Sequence, residues 1–235
     1  MIFFIILFWL FTAFLFHTYF GYYFSLVVLS KLFENSKKIN ISNSTPSVAL
    51  VIAAYNEESV IRNKLINSVK LNYPSDKIAI WVVSDGSSDK TNVIAKEFAE
   101  KHNNINILEL SRRGKSRAIN TAMKKIRADV IIFSDANTMY DTQAVTQLTK
   151  CFVDKKVGCV CGRLLYSNPN KVISGKGEGF YWRYEVKLKI LESKLGYIAG
   201  ANGAIYAIRR KLFESLPPST INDDFTISMK IVEKG

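Results

Sequence analysis

The first thirty residues contain no Asp, Glu, Lys or Arg, and this limits the chain more than any other feature. They read MIFFIILFWLFTAFLFHTYFGYYFSLVVLS, with His17 the one side chain there able to carry a charge. A membrane-spanning helix needs about 20 apolar residues, and a longer run is accommodated by tilt. A cleaved secretory leader would show a basic start, a shorter apolar stretch and a small-residue cleavage site; none is evident. Residues 1–30 therefore read as a transmembrane helix. Lys31, Lys37 and Lys38 follow it against a single Glu34, while no Lys or Arg precedes it. The positive-inside rule then predicts a single-pass membrane protein with everything from residue 31 onward in the cytoplasm.

Residues 31–47 (KLFENSKKINISNSTPS) are rich in Asn, Ser and Lys and end beside Pro46, the composition of a tether. The sequons at Asn40 and Asn43 are silent if the topology is right. Lys and Arg outnumber Asp and Glu by 32 to 20, and the whole excess lies beyond the apolar segment. So basic a surface suits an anionic partner, such as a nucleotide, a phosphorylated substrate or an acidic membrane face. Three cysteines are too few, and odd in number, for a disulfide framework. Cys159 and Cys161 share one face of a predicted strand, but no second Cys or His pair completes a zinc site, so they read as core thiols.

From Val48 the pattern alternates. Val48–Ala54, Ile78–Val83, Ile105–Leu110 and Val130–Phe133 are apolar runs that fit buried strands. Between them, Glu58–Val69, Thr91–His102 and Ser116–Arg127 have helical spacing. Such runs separated by helices predict a mostly parallel sheet in an α/β layer, a single domain over residues 48–235. Beyond Asp141 come a helix, a strand at Val157–Leu165, an amphipathic stretch from Val172 to Leu191 and a short strand at Ala204–Ile208. The aromatic side chains of Phe180, Tyr181, Trp182 and Tyr184 in that stretch read as packing rather than as a sugar platform.

Polar residues gather where strands end. The first strand runs into Tyr55-Asn56-Glu57, the second into Asp85-Gly86-Ser87 and the fourth into Asp135-Ala136-Asn137. Open α/β sheets bind ligands beyond the carboxyl ends of their strands. One such tip is accounted for by helix capping, for which Ser87, Ser88 or Asp89 is well placed; three are not. No G-x-G-x-x-G follows the first strand and there is no Walker A loop, which excludes the common dinucleotide and P-loop sites. Carboxylates at strand tips suit a divalent cation or the edge of a base better than bare phosphate. They also argue against nucleic acid as a partner.

The stretches VALVIAAYNEE, WVVSDGSSDKT, RRGKSRAINTAM, DVIIFSDANT, GANGAIYAIRRKLF and INDDFTISMKIVEKG occur in this order over residues 47–235. In this the chain resembles the inverting family-two glycosyltransferases of GT-A fold, and most of all the membrane-bound group that includes poly-N-acetylglucosamine, hyaluronan and cellulose synthases. The resemblance implies a nucleotide-sugar donor, a UDP-sugar above all, and a saccharide or lipid-linked acceptor. Tyr55, Glu57 and Asp85 would line the nucleotide pocket, with Asp85 reaching the base, since a carboxylate accepts from a uracil N–H. Lys115 would lie near the diphosphate. Asp135 would hold Mg²⁺ or Mn²⁺ against the diphosphate oxygens. Asn137 stands where many relatives carry a second Asp, so it is a weaker metal ligand.

Inverting transfer needs one carboxylate to take the acceptor's proton. The family places it second in an acidic pair near a helix start, here Asp223-Asp224, and the resemblance selects Asp224. Residues after Asp224 alternate as a strand would, yet Phe225, Met229 and Val232 fit a helix, which the family expects. The sequence stops soon after this pair, whereas polymer-forming relatives continue with a Q-x-x-R-W motif and further membrane helices. The expectation is either a piece of a longer protein or a short relative. The rival to an enzyme is a silent nucleotide-sugar-binding subunit that assists a full-length partner; retention of Asp85, Asp135 and Asp224 favours the enzyme.

Overall fold

The computed structural model describes residues 1–33, 45–164 and 175–234, with backbone only for 175–181. Both sequons, most of the tether and Leu165 lie outside the described residues. Helices α1 (Ile2–Phe16) and α2 (Tyr22–Leu32) are joined by one π-helical stretch at His17–Gly21. Together they form a 31-residue helix of mean hydropathy 2.0, long and apolar enough to cross a membrane. At 1.5 Å per residue it is about 46 Å long, against a hydrocarbon thickness of about 30 Å.

From Val48 the elements are β1 (Val48–Ala54), α3 (Ile61–Val69), β2 (Ile78–Asp85), α4 (Thr91–Lys101), β3 (Ile105–Leu110) and α5 (Lys115–Lys125). Then follow β4 (Val130–Asp135), α6 (Ala144–Lys150), β5 (Cys159–Cys161), α7 (Gly175–Lys194), β6 (Tyr206–Arg209) and α8 (Asp223–Val232). The chain divides into two compact units. One holds α1, α2 and α7; the other holds the sheet with its remaining helices. In the first unit Tyr22 donates to Glu192 Oε1 at 2.8 Å, and Ala199 N–H donates to Oε2 at 2.9 Å. Tyr184 donates to the Tyr19 carbonyl and packs beside Tyr23, so this aromatic residue serves helix packing, as its sequence context predicts.

The sheet has the order β3-β2-β1-β4-β6-β5. Its first four strands are parallel, and β6 runs antiparallel to both β4 and β5. The chain builds outward from β1 to β3, then crosses back to lay β4 on the other side of β1. That reversal leaves a crevice beyond the ends of β1 and β4. Register fixes what lines it: Ala53 pairs with Asp135, and Ala54 with Ser84 beside Asp85. The tips predicted from sequence to share an edge therefore do so.

Alternation places Leu50, Ile52 and Ile132 in one core, under α3 and α4, and Val51, Ile131 and Phe133 in the other, under α5 and α8. The strand expected at Val157–Leu165 is much shorter among the described residues. Arg209 accounts for this by donating from Nε to the Val157 carbonyl and from Nη2 to that of Phe152, which clamps the approach to β5 as a loop. The strand expected at 204–208 is shifted to Tyr206–Arg209. The helical reading at the end of the chain holds: Asn222 caps α8, accepting from Phe225 N–H at 3.4 Å.

Helix α3 begins at Ile61 rather than Glu58, and its buried face is Ile61, Lys64, Leu65 and Ser68, while Ile66 is 38% exposed. Lys64 is thus a fully buried lysine within an apolar stripe. Its ammonium donates to the Thr138 carbonyl and lies 3.8 Å from the centre of the Tyr140 ring. Asn67, one turn on, bonds both the N–H and the carbonyl of Tyr140. Between them they hold the turn that follows Asp135. Burial lowers the Lys64 pKa to about 7 from 10.5, with Asp135 acting the other way. Between these values the unfolded chain carries a proton that the folded chain lacks, so unfolding takes one up and stability rises with pH. Thermal unfolding of the wild type and Lys64→Met should therefore show the wild type gaining on the variant from pH 7 to about pH 10, and no such trend below pH 7. A difference independent of pH across that window would contradict this account.

Candidate functional site

The loops after β1 and β2 are stitched together by short polar side chains. Asn56 sits at φ 54°, a left-handed conformation that Asn tolerates better than most residues. Its N–H donates to Ser87 Oγ at 3.1 Å, and its Oδ1 accepts from Ser88 N–H at 2.9 Å. Glu58 and Asp89 each accept from the other loop's backbone, at Lys90 N–H and Glu58 N–H. Asp89 also accepts from Thr91 N–H at the start of α4, although the N-cap position itself is Lys90, one residue beyond the segment expected to cap, and has no side-chain cap. Glu57 N–H donates to Thr91 Oγ1 at 2.8 Å. Its carboxyl pKa is raised, first by burial and then by the negative charges of Asp135 and Asp89.

Asp85 lies at the tip of β2 and is 4% exposed. Its Oδ2 accepts from Arg112 Nη1 at 2.7 Å and Gly114 N–H at 2.9 Å, and its Oδ1 from Arg113 N–H at 2.8 Å. The carboxylate thus organises the loop between β3 and α5. The Arg112 guanidinium lies 3.4 Å from the centre of the Tyr55 ring, which is 43% exposed. Arg112 presents to Tyr55 and Asp85 a flat surface and an in-plane N–H donor, as a nucleobase would. Sequence reading singled out Tyr55 and Asp85 but not Arg112.

Across the crevice, Lys115 opens α5 and reaches between two acids. Its Nζ is 3.0 Å from Asp223 Oδ1 and 3.3 Å from Asp135 Oδ1. Burial of the ammonium opposes its charge, yet Asp223 and Asp135 together outweigh that and hold its pKa above the usual lysine value. Asp224 faces another way. A methyl group at Gly203 would come within 2.9 Å of Asp224 Oδ2 and 3.8 Å of Asp135 Oδ2, so the two carboxylates flank the bare Gly203 backbone. The structure therefore brings Lys115, Asp135, Asp223 and Asp224 to one cleft, with Tyr55 and Asp85 at the neighbouring strand tips. Gly203, within a recognised motif, carried no role in the sequence reading.

No group of three or more His, Cys, Asp or Glu among the described residues is arranged to hold a metal ion. Asp135 with exposed Asn137 beside it is a sparse oxygen set. It fits a hard divalent cation that takes most of its ligands from substrate phosphates and water, as Mg²⁺ commonly does. Cys159 and Cys161 pack against the core beneath β6, as expected of structural thiols.

The family model for glycosyl transferase family 2 matches residues 49–216. The chain belongs to this family. It is similar to the probable glycosyltransferase YdaM of Bacillus subtilis, with 30% identity over 222 residues, covering 86% of this chain and 49% of that protein. It is also similar to the beta-monoglucosyldiacylglycerol synthase of Trichormus variabilis, with 27% identity over 81% of this chain and 42% of that one. The poly-beta-1,6-N-acetyl-D-glucosamine synthase of Staphylococcus epidermidis matches at 26% identity over 78% of this chain and 45% of that one. The chain spans about half the length of these relatives. Among solved structures, the mannosyltransferase PcManGT of Pyrobaculum calidifontis, in complex with GDP-Man and Mn²⁺, superposes with a TM-score of 0.76 at 25% identity. That match covers 93% of this chain and 62% of the other. The mixed, mostly parallel sheet is thus of GT-A type.

Gly86 allows the Asp85 loop its close approach. It sits at φ +74°, and a Cβ there would lie 2.6 Å from the Arg112 backbone nitrogen. Gly86→Ala is expected to cost about 1–3 kcal/mol, the usual range for forced backbone strain. It should also speed hydrogen exchange at the Arg113 and Gly114 amides, which Asp85 holds. Unchanged exchange at those amides would separate Gly86 from the loop.

Proposed function

We propose that this chain is a membrane-anchored, inverting glycosyltransferase that moves a sugar from a nucleotide-sugar donor, a UDP-sugar above all, to a saccharide or lipid-linked acceptor. The observation that carries the reading is the meeting of Lys115, Asp135 and Asp224 in one cleft, with the two acids flanking Gly203. The relatives, a glycolipid synthase and a polysaccharide synthase among them, support a role in building envelope glycans. The apolar helix with Lys31 behind it supports a catalytic unit on the cytoplasmic side. The silent-subunit alternative has no observation in its favour, since both the metal-site acid and the candidate base are in place.

In this reading Tyr55 stacks on the base and Asp85 accepts from its imino N–H, with Arg112 yielding its place. Glu57 borders the same pocket. Lys115 meets the diphosphate. Asp135, with weaker help from Asn137, holds Mg²⁺ or Mn²⁺, which supplies neutralisation of the departing diphosphate charge. PcManGT binds Mn²⁺, which supports this assignment. Asp224 takes the proton from the acceptor hydroxyl as its oxygen bonds to the anomeric carbon and the bond to the diphosphate breaks. Asp223 is less suited to that task because Lys115 neutralises its charge, whereas Asp224 accepts from the Phe225 backbone N–H through Oδ1 and turns Oδ2 toward Gly203.

Calorimetry of UDP with the detergent-solubilised chain should show binding strengthened by Mn²⁺, a gain that Asp135→Ala removes. Asp224→Asn keeps the size of the side chain but cannot take a proton. It should leave UDP affinity near wild type and lower transfer roughly 10²-fold or more. Equal UDP binding in EDTA would overturn the metal role, and full transfer by Asp224→Asn would overturn the base.

A further inference from the structure

The fold treats the two acids that open α8 unequally, and the difference points to a task for the first. Asp223 is 7% exposed, whereas acids in a helix's first turn ordinarily remain in water. A buried carboxylate needs a partner, and Lys115 Nζ supplies it at 3.0 Å. Asp224 points about 100° further round the helix, against Gly203. Lys115 itself starts α5 from a fixed backbone, but its side chain is long and flexible, and holding it in one place costs rotamer entropy. Its other ion-pair partner among the described residues is Asp135, the carboxylate that a divalent cation would claim.

We propose that Asp223 is the positioning residue for Lys115: it keeps the ammonium in the cleft when a cation engages Asp135, so that Lys115 meets the donor's diphosphate. This rests on the reading of Lys115 as a diphosphate ligand. It gives the acidic pair a division of labour, with the first acid acting on the donor through Lys115 and the second on the acceptor. It also makes a prediction about sign. Alone, a carboxylate at this place repels a diphosphate; paired, it delivers a cation to one. The effect of removing its charge must therefore reverse when Lys115 is absent.

The test is a double-mutant cycle read by calorimetry of UDP in the presence of Mn²⁺, with uridine as the phosphate-free control. Asp223→Asn in the wild-type background should weaken UDP binding roughly tenfold, within the range of coupling between residues in contact. Lys115→Met should weaken it at least as much. Asp223→Asn added to Lys115→Met should strengthen UDP binding relative to Lys115→Met alone. Uridine affinity should be the same in all four proteins, which a general loss of structure would not allow. If Lys115→Met leaves UDP affinity unchanged, the diphosphate reading of Lys115 fails and the proposal with it. If Lys115→Met weakens binding but Asp223→Asn in the wild-type background strengthens it or leaves it unaltered, Lys115 is a ligand that Asp223 does not position, and the proposal alone is overturned.

Discussion

Carboxylates brought to one edge of a sheet repel one another, and the architecture beyond β1 and β4 depends on basic side chains that the chain supplies itself. Arg112 sits on Asp85, Lys115 bridges Asp135 and Asp223, and Lys64 lies buried beneath the turn that follows Asp135. Each does a mechanical task besides the electrostatic one. Arg112 and its neighbours fasten the β3–α5 loop to β2, Lys115 joins α5 to α8, and Lys64 ties α3 to the β4 turn. Two of the three stand where the proposed donor would go, Arg112 over the Tyr55 ring and Lys115 beside Asp135. These basic groups offset part of the acids' charge, and under the proposed function a donor would enter by exchanging its own groups for those of the chain.

This explains why the acids tolerate such proximity. A buried ion pair contributes little net stability, but an unpaired buried carboxylate would be costly. Asp85, with both oxygens engaged, is the most completely satisfied, and it is also the one that sets a loop. Asp224 has no ion-pair partner among the described residues, which is compatible with the base role proposed for it. Asp85 and Asp223 are thus tied to basic side chains, whereas Asp224 accepts from the Phe225 N–H and turns its Oδ2 to Gly203.

Much of the fold was legible because local pattern and global role agree. Continuous apolar runs mark β1 to β4, and the polar residues after each run mark the edge at which the site forms. What was not legible depends on partners distant in sequence. The strand before β6 shrinks because Arg209 captures the carbonyl of Val157, and no local pattern announces that contact. Nothing in the local pattern marks Lys64 for burial, yet the helix phase puts it inward and Ile66 outward. Likewise the adjacent acids Asp223 and Asp224 look alike in sequence. Only the meeting of α5 and α8, with Lys115 on one and Gly203 opposite, tells them apart. The roles of Tyr55, Glu57, Asp85, Lys115, Asp135, Asn137 and Asp224 toward a nucleotide sugar rest on family resemblance joined to this placement.

In the proposed mechanism one carboxylate, Asp224, takes the acceptor's proton in a single displacement at the anomeric carbon. One displacement inverts configuration, and two would restore it. The most direct measurement is the anomeric configuration of the product formed from an α-linked UDP-sugar, read by proton NMR before any equilibration. The account predicts a β-linked product. An α-linked product would contradict it, because it would require a covalent or ion-paired intermediate for which the cleft around Asp224 and Gly203 has no assigned residue.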